Sequence, residues 1–189
     1  VERWAPQTPQ EFLKFVATLP LHDQPGTRYR YSLSFAILGI LVERVTGKSL
    51  EQAMQETIFR PLGLMDTSFL VPAEKRGRLA RIYLRNESGK LVVDEVAESR
   101  VPARGSFYAG GGGLFSTAGD MARFGQMLLN RGQLDGVRVL SAKSVDLMTS
   151  DQLRGLPMPL VTFTARDTYG LGVGIATDLG KSSSLGSVG

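Results

Sequence analysis

PGTRYRYSLSFAILGILVERVTGKSLEQAMQETIFRPLGLMDTSF, residues 25–69, is the stretch on which the fold turns. Pro25-Gly26 is a turn signal. Aromatic, cationic and hydroxyl side chains lead from it into LSFAILGILV, which holds a single serine. The run predicts a helix over about 32–46, apolar nearly all round and hence buried, stopped by Gly47. Ser49 caps the next helix, SLEQAMQETIF, which Pro61 and Gly63 end. Tyr31 therefore falls at the mouth of a buried helix, where unpaired amides and the helix dipole favour an anion.

An anionic tyrosine would be a general base. A phenol ionises near pH 10, so service as a base near pH 7 requires about 4 kcal/mol of preferential phenolate stabilisation. The helix end supplies at most about 2 kcal/mol of this. Arg28 or Arg30 adds a little, and at least one further buried cation is needed. Neither basic run of the chain is placed by sequence to provide it. On spacing alone, the competing reading of Tyr31 is an aromatic at the core edge with its hydroxyl in water.

Outward from this stretch, Thr8-Pro9-Gln10-Glu11 reads as an N-cap, a first-turn proline and an acidic first turn, giving a helix over about 9–18 ended by Pro20. RLARIYLR and KLVVDEV, joined by NESG, read as a hairpin near 79–95. The connection AESRVPARGSFYAGGGG leads to the helix STAGDMARFGQMLLNRG, with Thr117 as cap, Asp120 at the third position and Gly132 closing the end. Ser141 caps a short helix, SAKSVDLMT, and YGLGVGIATD alternates as a strand does. The pattern predicts one mixed domain: residues 1–150 mostly helical with the short hairpin, and residues 160–189 the start of C-terminal sheet strands.

The 189 residues are 42% hydrophobic and 21% charged, ordinary for a globular chain with a core. No apolar run approaches the roughly 18 residues of a membrane span. With no cysteine, disulfides, thiolate metal sites and a cysteine nucleophile are excluded together. A net charge of +4 invites a nucleic-acid reading, centred on KRGRLARIYLR at 75–85. That segment alternates Leu79, Arg81, Tyr83 and Arg85 with Ala80, Ile82 and Leu84, as a half-solvated strand does, and no RNA-binding aromatic signature or zinc motif accompanies it.

Three other groups invite chemistry. Ser32 or Ser34 could be a nucleophile, but neither stands in a G-x-S-x-G elbow, and the one histidine, His22, lies in the loop before the turn; Ser34 reads better as a first-turn residue bonded to backbone. Gly110 to Gly113 precede a capped helix as phosphate-binding glycines do, yet without a P-loop lysine or a preceding apolar strand. A flexible or tight turn is favoured there. Asp120, Arg123 and Asp151 read as a cap, a helix-surface charge and a loop residue.

Residues 25–69 resemble the region around the tyrosine motif of the serine β-lactamase and penicillin-binding-protein-like superfamily, with the family VIII carboxylesterases as the nearest branch. AGGGGLFSTAGDMARFGQMLLNRGQLDGVRVLSAKSVDLMTSDQL, residues 109–153, is similar to the following segment of that branch. The resemblance implies an α+β fold, β-lactamase/transpeptidase-like, with a helical region beside an antiparallel sheet. It implies a serine hydrolase working through an acyl-enzyme, with Tyr31 as part of the general base. Substrate-binding positions follow: Leu33 as third residue of the tyrosine motif, and Tyr108, Gly111 and Gly112 as a wall of the acyl pocket. No metal or organic cofactor is implied. The partner is a small-molecule ester or lactam; oligomeric state and compartment are left open.

The family's S-x-x-K serine and lysine precede the tyrosine, and no S-x-x-K occurs between Val1 and Tyr31; SAKS at 141 and KSSS at 181 have the wrong spacing. The K-T-G or W-G-G strand would follow Gly189. Both are expected beyond this stretch of sequence, the domain is expected to be incomplete at both ends, and the 189 residues alone are expected to be inactive. Leu33 stands where β-lactamases place an asparagine that holds substrate and lysine. Leucine cannot make those hydrogen bonds, which favours ester over lactam cleavage. The alternatives kept are a β-lactamase or D-alanyl-D-alanine carboxypeptidase, and an inactive relative binding peptidoglycan or a partner protein.

Overall fold

The computed structural model describes residues 8–95, 107–156 and 168–176. Helix α1 (Pro9–Val16) begins with a capping box: the Thr8 hydroxyl accepts from the Glu11 amide, and the Glu11 carboxylate accepts from the Thr8 amide. Helix α2 (Ser34–Thr46) ends at Gly47, whose φ of 67° is the left-handed conformation glycine adopts without strain. Ser49 and Gln52 form a second capping box on α3 (Leu50–Met54), which runs on through a π-helical segment (Gln55–Phe59) into α4 (Arg60–Leu62).

Pro61 does not end this helix. It lies within the last turn, and Gly63 at φ 65° closes it. Proline has no N–H and its ring crowds the carbonyl four residues back, and the wider π turn just before it accommodates both. A 3-10 turn (Ala73–Arg78) follows, then the hairpin β1 (Tyr83–Arg85) and β2 (Leu91–Val93), with Leu84 opposite Val92. The hairpin is shorter than residues 79–95, and Tyr83, Leu84 and Arg85 are all exposed. The alternation expected to bury one face of this strand does so for none of its three residues.

Helix α5 (Ala118–Leu129) is capped by Thr117, and α6 (Ala142–Met148) by Ser141. Between them lies a hairpin the alternation pattern did not suggest, β3 (Gln133–Leu134) and β4 (Val137–Arg138). Asp135 at φ 48° and Gly136 at φ 81° form its turn, the pairing that suits a tight two-residue loop. The described part of YGLGVGIATD, residues 169–176, is not one strand either. It folds back as β5 (Thr168–Tyr169) against β6 (Gly174–Ile175), with the Gly170 amide donating to Val173 O at 2.8 Å. Of the stretch 160–189, residues 168–176 are described, and the remainder, with 96–106 of the long connection, lies outside the described residues.

Two apolar clusters hold the helices together. Phe59, Leu62, Leu64, Met127 and Leu134 join α4, α5 and β3, and Phe12, Ala36 and Ile40 join α1 to α2. Among the described residues, helix α2 is covered on one side. Ala36, Gly39 and Ile40 face α1, α3 and the glycine loop, whereas Leu38 (50% exposed), Leu41 (53%) and Val45 (78%) face outward. An all-round apolar composition made this helix read as enclosed; the described elements cover one of its faces.

Candidate active site

Tyr31 is two residues before the N-cap position Leu33, so the chain reaches helical geometry later than the sequence suggests. The helix dipole acts over the first turn, and Tyr31 lies outside that turn. Its ring is 48% exposed and lines an open depression of about 350 Å³. Tyr29, Phe35 and Leu38 line it with Tyr31, and Tyr169 and Leu171 close it from the β5–β6 turn.

The two arginines beside Tyr31 are already engaged. Arg30 donates to the Asp23 carboxylate, and Arg28 Nε lies 3.9 Å from the same group. The Arg30 hydrogen bond holds the Asp23 carboxyl below its ordinary range, with both guanidinium charges assisting. Neither cation is free to act on Tyr31 alone. Burial, then the neighbouring Tyr169 and Tyr31, push the Tyr29 phenol well above its ordinary value, so Tyr29 stays protonated at neutral pH. Its ring packs on Tyr169 at a centroid distance of 5.0 Å.

The glycine loop reaches this depression through Phe35. A Cβ on Gly110 would lie 2.3 Å from the Phe35 carbonyl oxygen and 3.1 Å from Gly39, so glycine is required for the loop to lie on α2. Gly111 and Gly112 have no such need: a Cβ on Gly111 would make ordinary contact with Phe35 at 3.7 Å, and one on Gly112 would meet nothing within 4 Å. Tyr108 packs on Phe69, centroids 5.1 Å apart. Burial first, then the charges of Glu51 and Glu43, raise its phenol. Of the residues singled out from sequence, Tyr31 lines the depression together with Arg30, Ser32 and Ser34; Leu33, Tyr108, Gly111 and Gly112 do not, although Gly111 borders Phe35, which does.

Leu33 is 41% exposed and makes no side-chain capping bond. No hydrogen bond joins His22 to Ser32 or Ser34 among the described residues, and the Ser34 hydroxyl makes no bond to backbone there. Asp120 is more than a cap. It is buried, and its Oδ2 accepts from the Asp66 amide at 2.8 Å and the Thr67 hydroxyl at 2.7 Å. Arg123 donates to Leu62 O and to Asp135, tying α4 to the β3–β4 turn. Asp151 accepts from the Leu153 and Arg154 amides and from Thr168, which anchors β5. Tyr29, Phe35 and Tyr169 are site-lining aromatics that the local sequence does not mark. Among the described residues no cluster of three or more His, Asp or Glu could hold a metal ion, and no helix is long and apolar enough to cross a membrane.

Comparison with known proteins gives concordant results. The Beta-lactamase family model matches residues 2–188. Protein Rv1367c of Mycobacterium tuberculosis is 39% identical over 188 residues, covering 95% of this chain and 45% of that protein. Lovastatin esterase of Penicillium rubens is 37% identical over 141 residues, 72% of this chain and 34% of that enzyme. The octameric penicillin-binding protein homologue from Pyrococcus abyssi superposes with a TM-score of 0.70 at 25% identity, covering 94% of this chain and 37% of that one. The chain spans less than half the length of these relatives. With the tyrosine stretch, the glycine loop and the helices between them arranged as described, the chain belongs to the Beta-lactamase family.

Proposed function

We propose that the protein carrying this chain is a serine carboxylesterase that works through an acyl-enzyme, with Tyr31 sharing the general-base role. The observation that carries the reading is the position of Tyr31, half-exposed on a largely apolar depression at the entry to α2. An upstream serine would attack the ester carbonyl, its proton passing to a base formed by a lysine and Tyr31. The alcohol would leave with a proton returned from that base, and water would then release the acid. Backbone amides would stabilise the oxyanion. The engagement of Arg28 and Arg30 by Asp23 fits this division of labour, which leaves the partner cation of Tyr31 to be the lysine of the nucleophile motif.

Leu33 supports ester over lactam chemistry. It has no hydrogen-bonding group to offer an acylamide side chain, and an alcohol leaves with less acid assistance than an amine. By the family resemblance Leu33, Tyr108, Gly111 and Gly112 are assigned to the substrate side of the site, as a wall beyond the residues that line the depression, where the two glycines leave room. The test is the full-length protein's turnover of short-chain p-nitrophenyl esters against a chromogenic cephalosporin. Esters should be cleaved at least tenfold faster; equal or reversed rates would overturn the assignment.

A further inference from the structure

The depression beside Tyr31 is shaped by parts of the chain far apart in sequence. Tyr29 packs tilted on Tyr169, the rings 37° apart in plane, and Tyr169 is 8% exposed. Phe35 and Leu38 come from the first turns of α2, and Leu171 stands 47% exposed at the tip of the β5–β6 turn. That tip is fixed. The Leu171 amide donates to Met148 O at 2.9 Å at the end of α6, and the Gln152 amide to Tyr169 O at 3.0 Å. A Cβ on Gly170 would lie 1.9 Å from Met148 O, so only glycine permits that approach. A Cβ on Gly172, at φ 87°, would come within 3.8 Å of the Phe35 ring, which places the turn directly beside α2.

The charge pattern is equally specific. Arg30 is the one charged residue lining the depression among the described residues, and its guanidinium is bound to Asp23. A charged substituent entering on the Tyr29–Tyr169 side, away from the base at Tyr31, would lose hydration and find no unengaged counterion among the described residues. A ring or branched alkyl group would find tyrosine faces and leucine methyls. Space is ample: about 350 Å³, where a cavity of about 150 Å³ admits benzene.

Resting on the esterase reading, we propose that the Tyr29–Tyr169 pair with Leu38 and Leu171 forms a specificity subsite for an uncharged aromatic or branched apolar group on the ester. Tyr29 and Leu171 act as specificity-determining residues, and the pinned β5–β6 turn keeps the subsite open without substrate.

The experiment uses the full-length protein and two readouts. The first is kcat/KM for p-nitrophenyl phenylacetate, acetate and hemisuccinate. The wild type should prefer phenylacetate to acetate by about tenfold and discriminate against the hemisuccinate. Tyr29→Ala should reduce the phenylacetate-to-acetate ratio at least fivefold, and Leu171→Asp, at an exposed position where folding is not at stake, at least threefold. The second is calorimetric binding of benzyl methyl ketone, an uncharged probe that is not hydrolysed. Binding should be detectable in the wild type and weakened at least fivefold by Leu171→Asp. Ester cleavage without phenylacetyl preference, or a ratio unmoved by both variants, overturns the subsite and leaves the esterase reading standing. Probe binding lost in Leu171→Asp, in a protein that cleaves no ester, supports the subsite and removes the esterase reading.

Discussion

Asp120 should be worth several times more to stability than an ordinary helix-surface acid, and the geometry says how the loss divides. One oxygen, Oδ2, receives both the Asp66 amide and the Thr67 hydroxyl, at 2.8 and 2.7 Å. Hydrogen bonds to a charged acceptor contribute about 1.5–3 kcal/mol each. In Asp120→Ala both are lost. The Thr67 hydroxyl keeps Ser116 Oγ at 2.8 Å and the Asp66 amide is only partly buried, so the expected loss is about 2–4 kcal/mol. Asp120→Asn can present its single carbonyl oxygen where Oδ2 stood and keep both bonds as neutral ones, at roughly half strength, for a loss of about 1–2 kcal/mol. Urea unfolding of the full-length protein and its variants, at unchanged m value, reads the difference. Equal losses in the two variants, or a loss below about 1 kcal/mol in Asp120→Ala, would show that the tie across the 66–69 segment contributes little.

Gly110→Ala should destabilise by about 1–3 kcal/mol, because its Cβ would sit 2.3 Å from the Phe35 carbonyl oxygen, while Gly112→Ala, with open space at its Cβ, should leave the urea midpoint within error of wild type. Asp66 should shape the acid limb of stability. Hydrogen bonds from Arg78 and Lys75 lower its pKa from 3.8 to about 2, so the stabilisation is complete above about pH 4 and lost as pH falls toward 2. Asp66→Asn should flatten that limb in a plot of denaturation midpoint against pH, and an unchanged limb would assign the acid sensitivity elsewhere.

The ends of elements were legible in the sequence because their causes are local. Thr8, Ser49, Thr117 and Ser141 each accept from an amide three residues on, as their residue types suggest, and Gly47 and Gly63 adopt the left-handed conformation that stops a helix. What escaped depends on neighbours. The composition of α2 speaks of an apolar environment but not of which face meets it, and YGLGVGIATD alternates well enough to read as a strand although Gly170 is pressed against Met148 O and turns the chain back. The Asp135-Gly136 dipeptide is a strong hairpin signal, but the strands around it are two residues each, too short for alternation to show. In the site, Tyr31 could be singled out from its place before α2. Its partnership with Tyr29 and Tyr169 could not, because nothing in the sequence around residue 29 announces contact with residue 169. The wider part of Asp120 is hidden for the same reason: its place in the first turn of α5 is local, and its hydrogen-bond donors belong to residues 66 and 67.

The most direct measurement is the turnover number of full-length Tyr31→Phe on p-nitrophenyl acetate, taken with a circular dichroism spectrum to show that the fold is intact. The change removes one phenolic oxygen from a half-exposed residue and leaves the ring, so packing is preserved. Loss of general-base help predicts a fall in kcat of at least about 100-fold. A folded variant turning over at near the wild-type rate would show that Tyr31 only lines the depression, and would contradict its assignment to the base.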